Sequence, residues 1–207
     1  MWGLVQDGSI TKIINKPKGM VIGDIRYSRK IFELWSKAEL EAKGIYEVVF
    51  DNSNKKDEEF YINTNQSFNF ADGQITASYG AATPKLLEDR NQTNEDGSPM
   101  LDAQGNQVVT KGLKSQKKQI IKNQASGLLE PTDWHNHKAL DDDTYTIPAN
   151  IKTFRADVRT KSNEMETAID NASDVDALET LYTYVNTGTE ENPVMERPLG
   201  EFPTLEI

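Results

Sequence analysis

Two proline-punctuated stretches constrain this chain more than anything else in it. Gly127-Leu-Leu-Glu-Pro-Thr-Asp-Trp134 is followed by Ile147-Pro-Ala-Asn-Ile-Lys-Thr-Phe-Arg155-Ala-Asp-Val-Arg159. Proline lacks the N–H that a helix interior needs, yet its fixed φ suits a first helical turn. Pro131 is therefore expected to end one helix and Pro148 to open the next. The prediction is a helical hairpin over 113–185, joined by a corner and a loop, that holds one shape and presents a face to another protein.

The apolar spacing supports two facing helices. Leu113, Ile120, Ile121, Ala125, Leu128 and Leu129 fall on one face of the first. In the second, Ile151, Val158, Met165 and Ala172 recur every seven residues, with Phe154, Ala168 and Ile169 beside them. Lys161 and Ser162 interrupt this stripe, so it reads as an ordinary hairpin seam and not as an extended coiled coil. Ser173-Asp-Val-Asp176 restarts a short helix carrying Leu178, Leu181 and Tyr182. A seam of roughly a dozen apolar side chains buries too little surface to stand alone. Something else must cover it. The tail, 186–207, holds Pro193, Pro198 and Pro203 and is expected to be extended.

Residues 1–87 have a different rhythm. Trp2 to Gln6 and Ile10 to Ile14 flank Asp7-Gly8, a dipeptide suited to the positive backbone angles of a tight hairpin. Ile45-Tyr-Glu-Val-Val-Phe50 is β-branched and aromatic, and Phe60-Tyr-Ile62 follows a polar break. Phe68 and Phe70 alternate with polar neighbours up to Asp72-Gly73, and Ile75 to Tyr79 returns. Alternation implies one buried and one wet face, hence an antiparallel β meander. One short helix interrupts it, opened by the capping-box pattern Ser36-Lys-Ala-Glu39 and stopped by Gly44, with Phe32, Trp35 and Leu40 as anchors. Residues 88–112 shift to Asp, Asn, Gln, Gly and Ser and read as a polar linker. A small hairpin within it would set Met100-Leu101 against Val108-Val109. The expected class is thus α+β: a β-rich region, a linker, a helical hairpin and a tail.

Composition narrows the function. Apolar residues make up 36% and charged residues 27%, so the core is modest. The 33 acidic against 23 basic residues leave a formal charge of -10, which repels phosphate backbones and anionic lipid. Neither nucleic acid nor membrane is expected as a partner, and the lysines of Lys111 to Lys122 read as a solvated helix face. The absence of cysteine removes disulfides, thiolate metal sites and cysteine nucleophiles. No signal peptide or membrane span is expected.

The candidate chemistry is sparse. His135-Asn-His137 resembles a nuclease motif only in spelling, since that motif's three residues are spread along a larger metal-binding unit. As a metal pair it lacks further ligands at diagnostic spacing, so it reads as a polar loop between helices. An EF-hand beginning at Asp89 fails, because its sixth position is Asn94 and its twelfth Met100. No phosphate loop, nucleophile elbow or metalloprotease helix is present. No catalytic, metal or cofactor role is expected. At Thr132-Asp133-Trp134, Thr132 or Asp133 is expected to accept from backbone N–H groups at the corner. Trp134 is expected to cover the open end of the seam, or to belong to a contact surface.

Lys118-Gln-Ile-Ile-Lys122, Leu128-Leu129, Thr132-Asp-Trp134, Ile147-Pro148, Phe154-Arg155 and Val158-Arg159, in that order, resemble the C-terminal region of tail fibre assembly chaperones of tailed bacteriophages. In that family a helix ending in a Leu-Leu…Thr-Asp-Trp element precedes a proline-led helix with an aromatic-Arg…Arg pattern. Trp35-Ser-Lys-Ala-Glu-Leu40 and Gly44-Ile-Tyr-Glu-Val48 are similar to the β-rich leading part of many such proteins. His135-Asn-His137, the triple aspartate Asp141 to Asp143 and the long tail beyond Leu181 depart from the pattern. The resemblance implies a protein that helps trimeric fibres fold or attach, acting in the host cytoplasm during assembly and sometimes remaining in the virion tail. Its partners would be tail fibre or other tail proteins. The expected partner-binding residues are Ile120, Leu128, Leu129, Trp134, Phe154, Arg155, Val158 and Arg159. Arg155 and Arg159, one turn apart, would pair with acidic groups on the hairpin or the client. The alternative is a permanent virion structural protein, a tail adaptor or fibre-attachment subunit, for which the Pro193–Ile207 tail would suit.

Overall fold

Asp7-Gly8 and Asp72-Gly73 hold positive φ at all four positions, 50° and 77° in the first pair and 52° and 75° in the second. That geometry is what a two-residue hairpin loop requires. In the computed structural model, which describes residues 1–205, these turns build the first of two units, Met1–Thr83. The first joins β1 (Trp2–Gln6) to β2 (Ser9–Ile14), and Gly23 at φ 58° turns β3 (Met20–Ile22) into β4 (Ile25–Tyr27). Two helical turns follow, α1 (Ile31–Leu34) and α2 (Lys37–Glu41), where a single helix was expected. The capping box of α2 is complete: the Glu39 N–H donates to Ser36 Oγ (3.3 Å) and the Ser36 N–H to Glu39 Oε2 (2.8 Å). Then come β5 (Ile45–Asp51), β6 (Tyr61–Ile62), β7 (Ser67–Ala71) and β8 (Gln74–Ser78).

The main sheet has the order β2-β1-β5-β8-β7, and it is not an antiparallel meander. β5 pairs with β8 in parallel, Val48 opposite Ile75 and Phe50 opposite Ala77, while its pairing with β1 is antiparallel. The Asp72-Gly73 turn fixes only the β7–β8 hairpin and leaves open which of its strands meets β5. β8 takes the inner place between β5 and β7, where Ile75 and Ala77 are buried completely, whereas Phe68 and Phe70 of β7 stay half-buried. Both faces carry apolar clusters. Leu4, Ile14, Met20, Ile31, Leu40 and Ile45 lie on one. Val5, Val48, Ile75 and Ala77 lie on the other, with Tyr46 and Phe70 rings 4.7 Å apart against them.

The second unit begins at Pro84, beside the short strand β9 (Thr83–Pro84). Residues 84–112 belong to it. β10 (Arg90–Asn91) pairs with β11 (Val109–Thr110), and Thr93–Pro99 and Leu101–Gln107 bridge within the loop between them. The Gln107 amide sits at the centre, its Nε2 donating to the carbonyls of Gln92 (2.7 Å), Val108 (2.9 Å) and Met100 (3.1 Å). This segment caps the next helix, α3 (Leu113–Leu129). The N–H of Leu113 donates to Leu86 O (2.8 Å), that of Lys114 to Leu87 O (3.1 Å) and that of Gly112 to Asp89 Oδ1 (2.9 Å). Orphan donors at a helix start are thus satisfied by residues more than twenty positions earlier. Asp89 is held down to about 2 by the Lys111 ammonium it accepts from, with the Gly112 N–H and Ser115 adding to the effect.

After α3 the chain makes a 3-10 turn, Glu130–Thr132, and continues as α4 (Asp133–Asp141), α5 (Ala149–Asn171) and α6 (Val175–Tyr182). The expected loop around His135 is therefore a helix. Pro131 does not stop the helical path; it occupies the first turn of the 3-10 segment, where its missing N–H costs nothing. α3 packs along α5. Ile151, Val158, Met165 and Ala172 are all buried, as the seven-residue repeat predicts. On α3 the buried line is Leu113, Lys114, Lys117, Ile121 and Ala125, so two lysine stems take places where only apolar residues were expected. Lys114 Nζ donates to Glu88 (2.6 Å) and to the Asp170 carbonyl (2.9 Å), setting a cation at the C-terminal end of α5. The tail is not simply extended: β12 (Val185–Asn186) pairs with β13 (Met195–Glu196), and Leu199 beyond them is buried. The last two residues of the expected tail, Glu206 and Ile207, lie outside the described residues.

Candidate interaction surface at the helical corner

The corner between α3 and α4 is locked from α5. Arg155 is 7% exposed, and its Nη1 donates to Leu129 O (3.0 Å) and to Thr132 Oγ1 (2.5 Å). Its Nη2 meets Asp133 Oδ1 at 2.8 Å. Thr132 Oγ1 in turn donates to Leu129 O (2.7 Å). A carbonyl freed by the end of α3 is thus capped twice, and a buried guanidinium has a carboxylate and two neutral acceptors. This corrects the expected roles of Thr132 and Asp133. Neither caps a backbone N–H here; both serve Arg155. Asp133, about half exposed, is the carboxylate that the Arg155 charge requires near the interior.

Trp134 follows directly and faces outward. It is 53% exposed, so it does not close the seam as expected. Its inner face stacks on His135, ring centroids 3.8 Å apart, and His135 Nδ1 is hydrogen-bonded to the Tyr145 hydroxyl. Lys138 Nζ lies 4.4 Å from the Tyr145 ring centre. His135 is thus a buried spacer that props the tryptophan out. Among the described residues no three His, Asp or Glu side chains gather as a metal site.

The other expected partner-binding residues divide between lock, seam and surface. Phe154 and Val158 are buried with Ala125 in one cluster, against which Leu128 and Leu129 pack half-buried. Ile120 is 44% exposed and stands on the outer face of α3, where it borders a groove with Lys111, Gln116, Lys118 and Lys122. It leaves the seam because Ile121, one residue on, takes the inward place. The lysines beside it are paired within the chain: Lys111 to Asp89 (2.7 Å), Lys118 to Asp170 (2.7 Å) and Lys122 to Glu166 (3.4 Å). The bond to Asp170 raises Lys118 above the ordinary lysine range. Arg159 is exposed and donates to the Arg155 carbonyl (3.2 Å), so the two arginines share no common role.

Two groups of residues were not expected here. Phe202 and Leu205 of the tail pack against the Phe154–Val158 cluster. Tyr145, the partner of His135, has no signal in the sequence for that role. No family model, no curated protein and no solved structure matches the chain. Among the described residues no helix is long and apolar enough to cross a membrane.

Proposed function

We propose that this chain is a tail fibre assembly chaperone of a tailed bacteriophage, acting in the host cytoplasm by binding a fibre protein through its C-terminal helical unit. The observation that carries this reading is the lock itself. Two of the separated motifs that carry the resemblance, Thr132-Asp-Trp134 and Phe154-Arg155, meet where Arg155 bonds Thr132 and Asp133 at the corner, beside an outward-facing Trp134. Such geometry suits a preformed adhesive face. A nascent β-rich fibre exposes apolar strands and open edges while it trimerises, and a rigid helical face can cover them. Each large apolar side chain covered contributes roughly 1.5–3 kcal/mol. Co-expression tests the reading: fibre should be soluble and trimeric with this chain, aggregated without it, and only partly rescued by Trp134→Ala. Equal trimer yield with and without the chain overturns it.

A second reading, a permanent adaptor or fibre-attachment subunit, is favoured by the β12–β13 hairpin, where Val185, Val194 and Met195 are each about half exposed. Mass spectrometry of purified particles separates the two. Stoichiometric copies mean a structural part; absence means a chaperone that leaves.

A further inference from the structure

The seam of the helical pair, expected to need an external cover, already has one from its own chain. Phe202 and Leu205 lie against Ala125, Phe154 and Val158, together with Leu128 and Leu129. The covering segment, Phe202 to Leu205, is neither helix nor strand. It is hinged just upstream. Leu199 is 2% exposed and its N–H donates to Leu181 O (3.0 Å), while Gly200, at φ 71°, closes a turn with its N–H on Arg197 O (2.8 Å). Arg197 also holds Glu201 at 2.7 Å. The anchor therefore runs from Leu199 to Glu201, whose carboxylate also accepts from the Tyr184 hydroxyl, and the four residues beyond it rest on the groove through Phe202 and Leu205.

The fit is incomplete. Phe202 and Leu205 are only half-buried, whereas the Val158 beneath them is fully enclosed. Open surface clefts of about 330 Å³ and about 320 Å³ border the strap, the first along Asp157, Lys161, Glu201 and Pro203, the second along Thr153, Phe154 and Leu205, so the strap lies at the surface of the unit and not inside its core.

We propose that this groove is a peptide-binding site and that Phe202–Leu205 is its built-in, displaceable occupant. The ligand is an extended segment of the client with an aromatic side chain followed three residues later by a branched aliphatic one, the chemistry the strap itself presents. Only the identity of that client rests on the chaperone reading. Tethering gives the strap a high effective concentration, so it shields the apolar groove until a better-filling segment competes.

The probe is a fluorescent peptide of the sequence Leu199 to Leu205, titrated into the full-length chain and into full-length Phe202→Ala/Leu205→Ala. The doubly substituted chain should bind it at least about tenfold more tightly than the unaltered chain, because the tethered competitor is gone. Equal affinity, or no binding by either, overturns the proposal. A fluorine label on the Phe202 ring of the otherwise unaltered chain gives an answer even if the variant misfolds. Saturating peptide should move its fluorine resonance to the position of a solvent-exposed ring, and an unchanged resonance overturns the proposal. Neither measurement contains a fibre, so a negative result here leaves the co-expression outcome standing, and the reverse also holds.

Discussion

The sheet unit and the helical unit hold the ends of their elements differently. In the first, hairpin reversals are local: Asp7-Gly8 and Asp72-Gly73 each supply positive φ within the turn itself. The second has local turns too, at Gly97, Gly105 and Gly200, but both ends of α3 and the C-terminal end of α5 are held by residues far away in sequence. Leu86, Leu87 and Asp89 cap α3, Arg155 locks the corner after Leu129, and Lys114 sits at the end of α5. Local devices hold the chain whatever surrounds them. Remote ones assemble only when the unit folds, so the corner and the face it presents depend on distant residues.

Core truncation should break this comparison most visibly. Ile169→Ala and Ile75→Ala each remove a side chain with 0% exposure, and each should cost about 2–5 kcal/mol. Denaturant unfolding monitored by residue-resolved hydrogen exchange should show each loss in its own unit. Loss of protection spread evenly over both units by either substitution would contradict separate cores.

Glycine replacement comes next. A Cβ at Gly112 would lie 2.4 Å from the Glu88 carbonyl and 2.5 Å from Leu87 O, both backbone, so the remote cap must move. Gly112→Ala should cost about 3 kcal/mol as overpacking. At Gly73, with φ 75°, nothing lies within 4 Å of an added Cβ, and the penalty is the left-handed backbone alone, about 1–2 kcal/mol. Thermal melts of the two variants give the ranking; a larger loss at Gly73 would reverse the contrast.

Thr132→Val keeps the shape of the corner but removes one acceptor from Arg155 and one donor from Leu129 O. The expected loss is about 1–3 kcal/mol. Its exchange signature should reach both α4 and α5, because the lock joins them. A loss confined to the corner would show that Arg155 is held by other means.

The smallest effect is the acid limb of the second unit. Asp89 sits at about 2 in the folded chain against an ordinary 3.8, so the unfolded chain binds its proton first as pH falls. The stabilisation is complete above about pH 4 and disappears as pH drops through about 2. Asp89→Asn should flatten the stability of the helical unit over that window. An unchanged slope would mean that the α3 cap does not depend on the carboxylate's charge.

Legibility in the sequence follows the same division. Both Asp-Gly turns, the Ser36–Glu39 box and the seven-residue line from Ile151 to Ala172 could be read directly, because each is a rule about near neighbours. The parallel β5–β8 pair could not, since the turn that fixes β7 against β8 says nothing about which strand meets β5. Residues 88–112 look like a linker because their polar side chains carry no apolar period. Their contribution is backbone carbonyls and one carboxylate offered to α3, which a hydrophobic pattern does not report. At the candidate surface, Phe154 and Val158 were legible as seam. Ile120 and Ile121 are both isoleucine, and only packing against α5 put one inside and one out.

The amino-acid order by itself determined the α+β class, the two hairpin turns and the helical pair with its corner near Pro131, because backbone angles and apolar period are set residue by residue. Tertiary structure alone decided that Arg155 lies inside and Trp134 outside, and that Phe202 and Leu205 fold back onto the seam. Those outcomes depend on which buried charge finds acceptors and which apolar surface finds cover. Both are settled between segments distant in sequence, once the chain has closed.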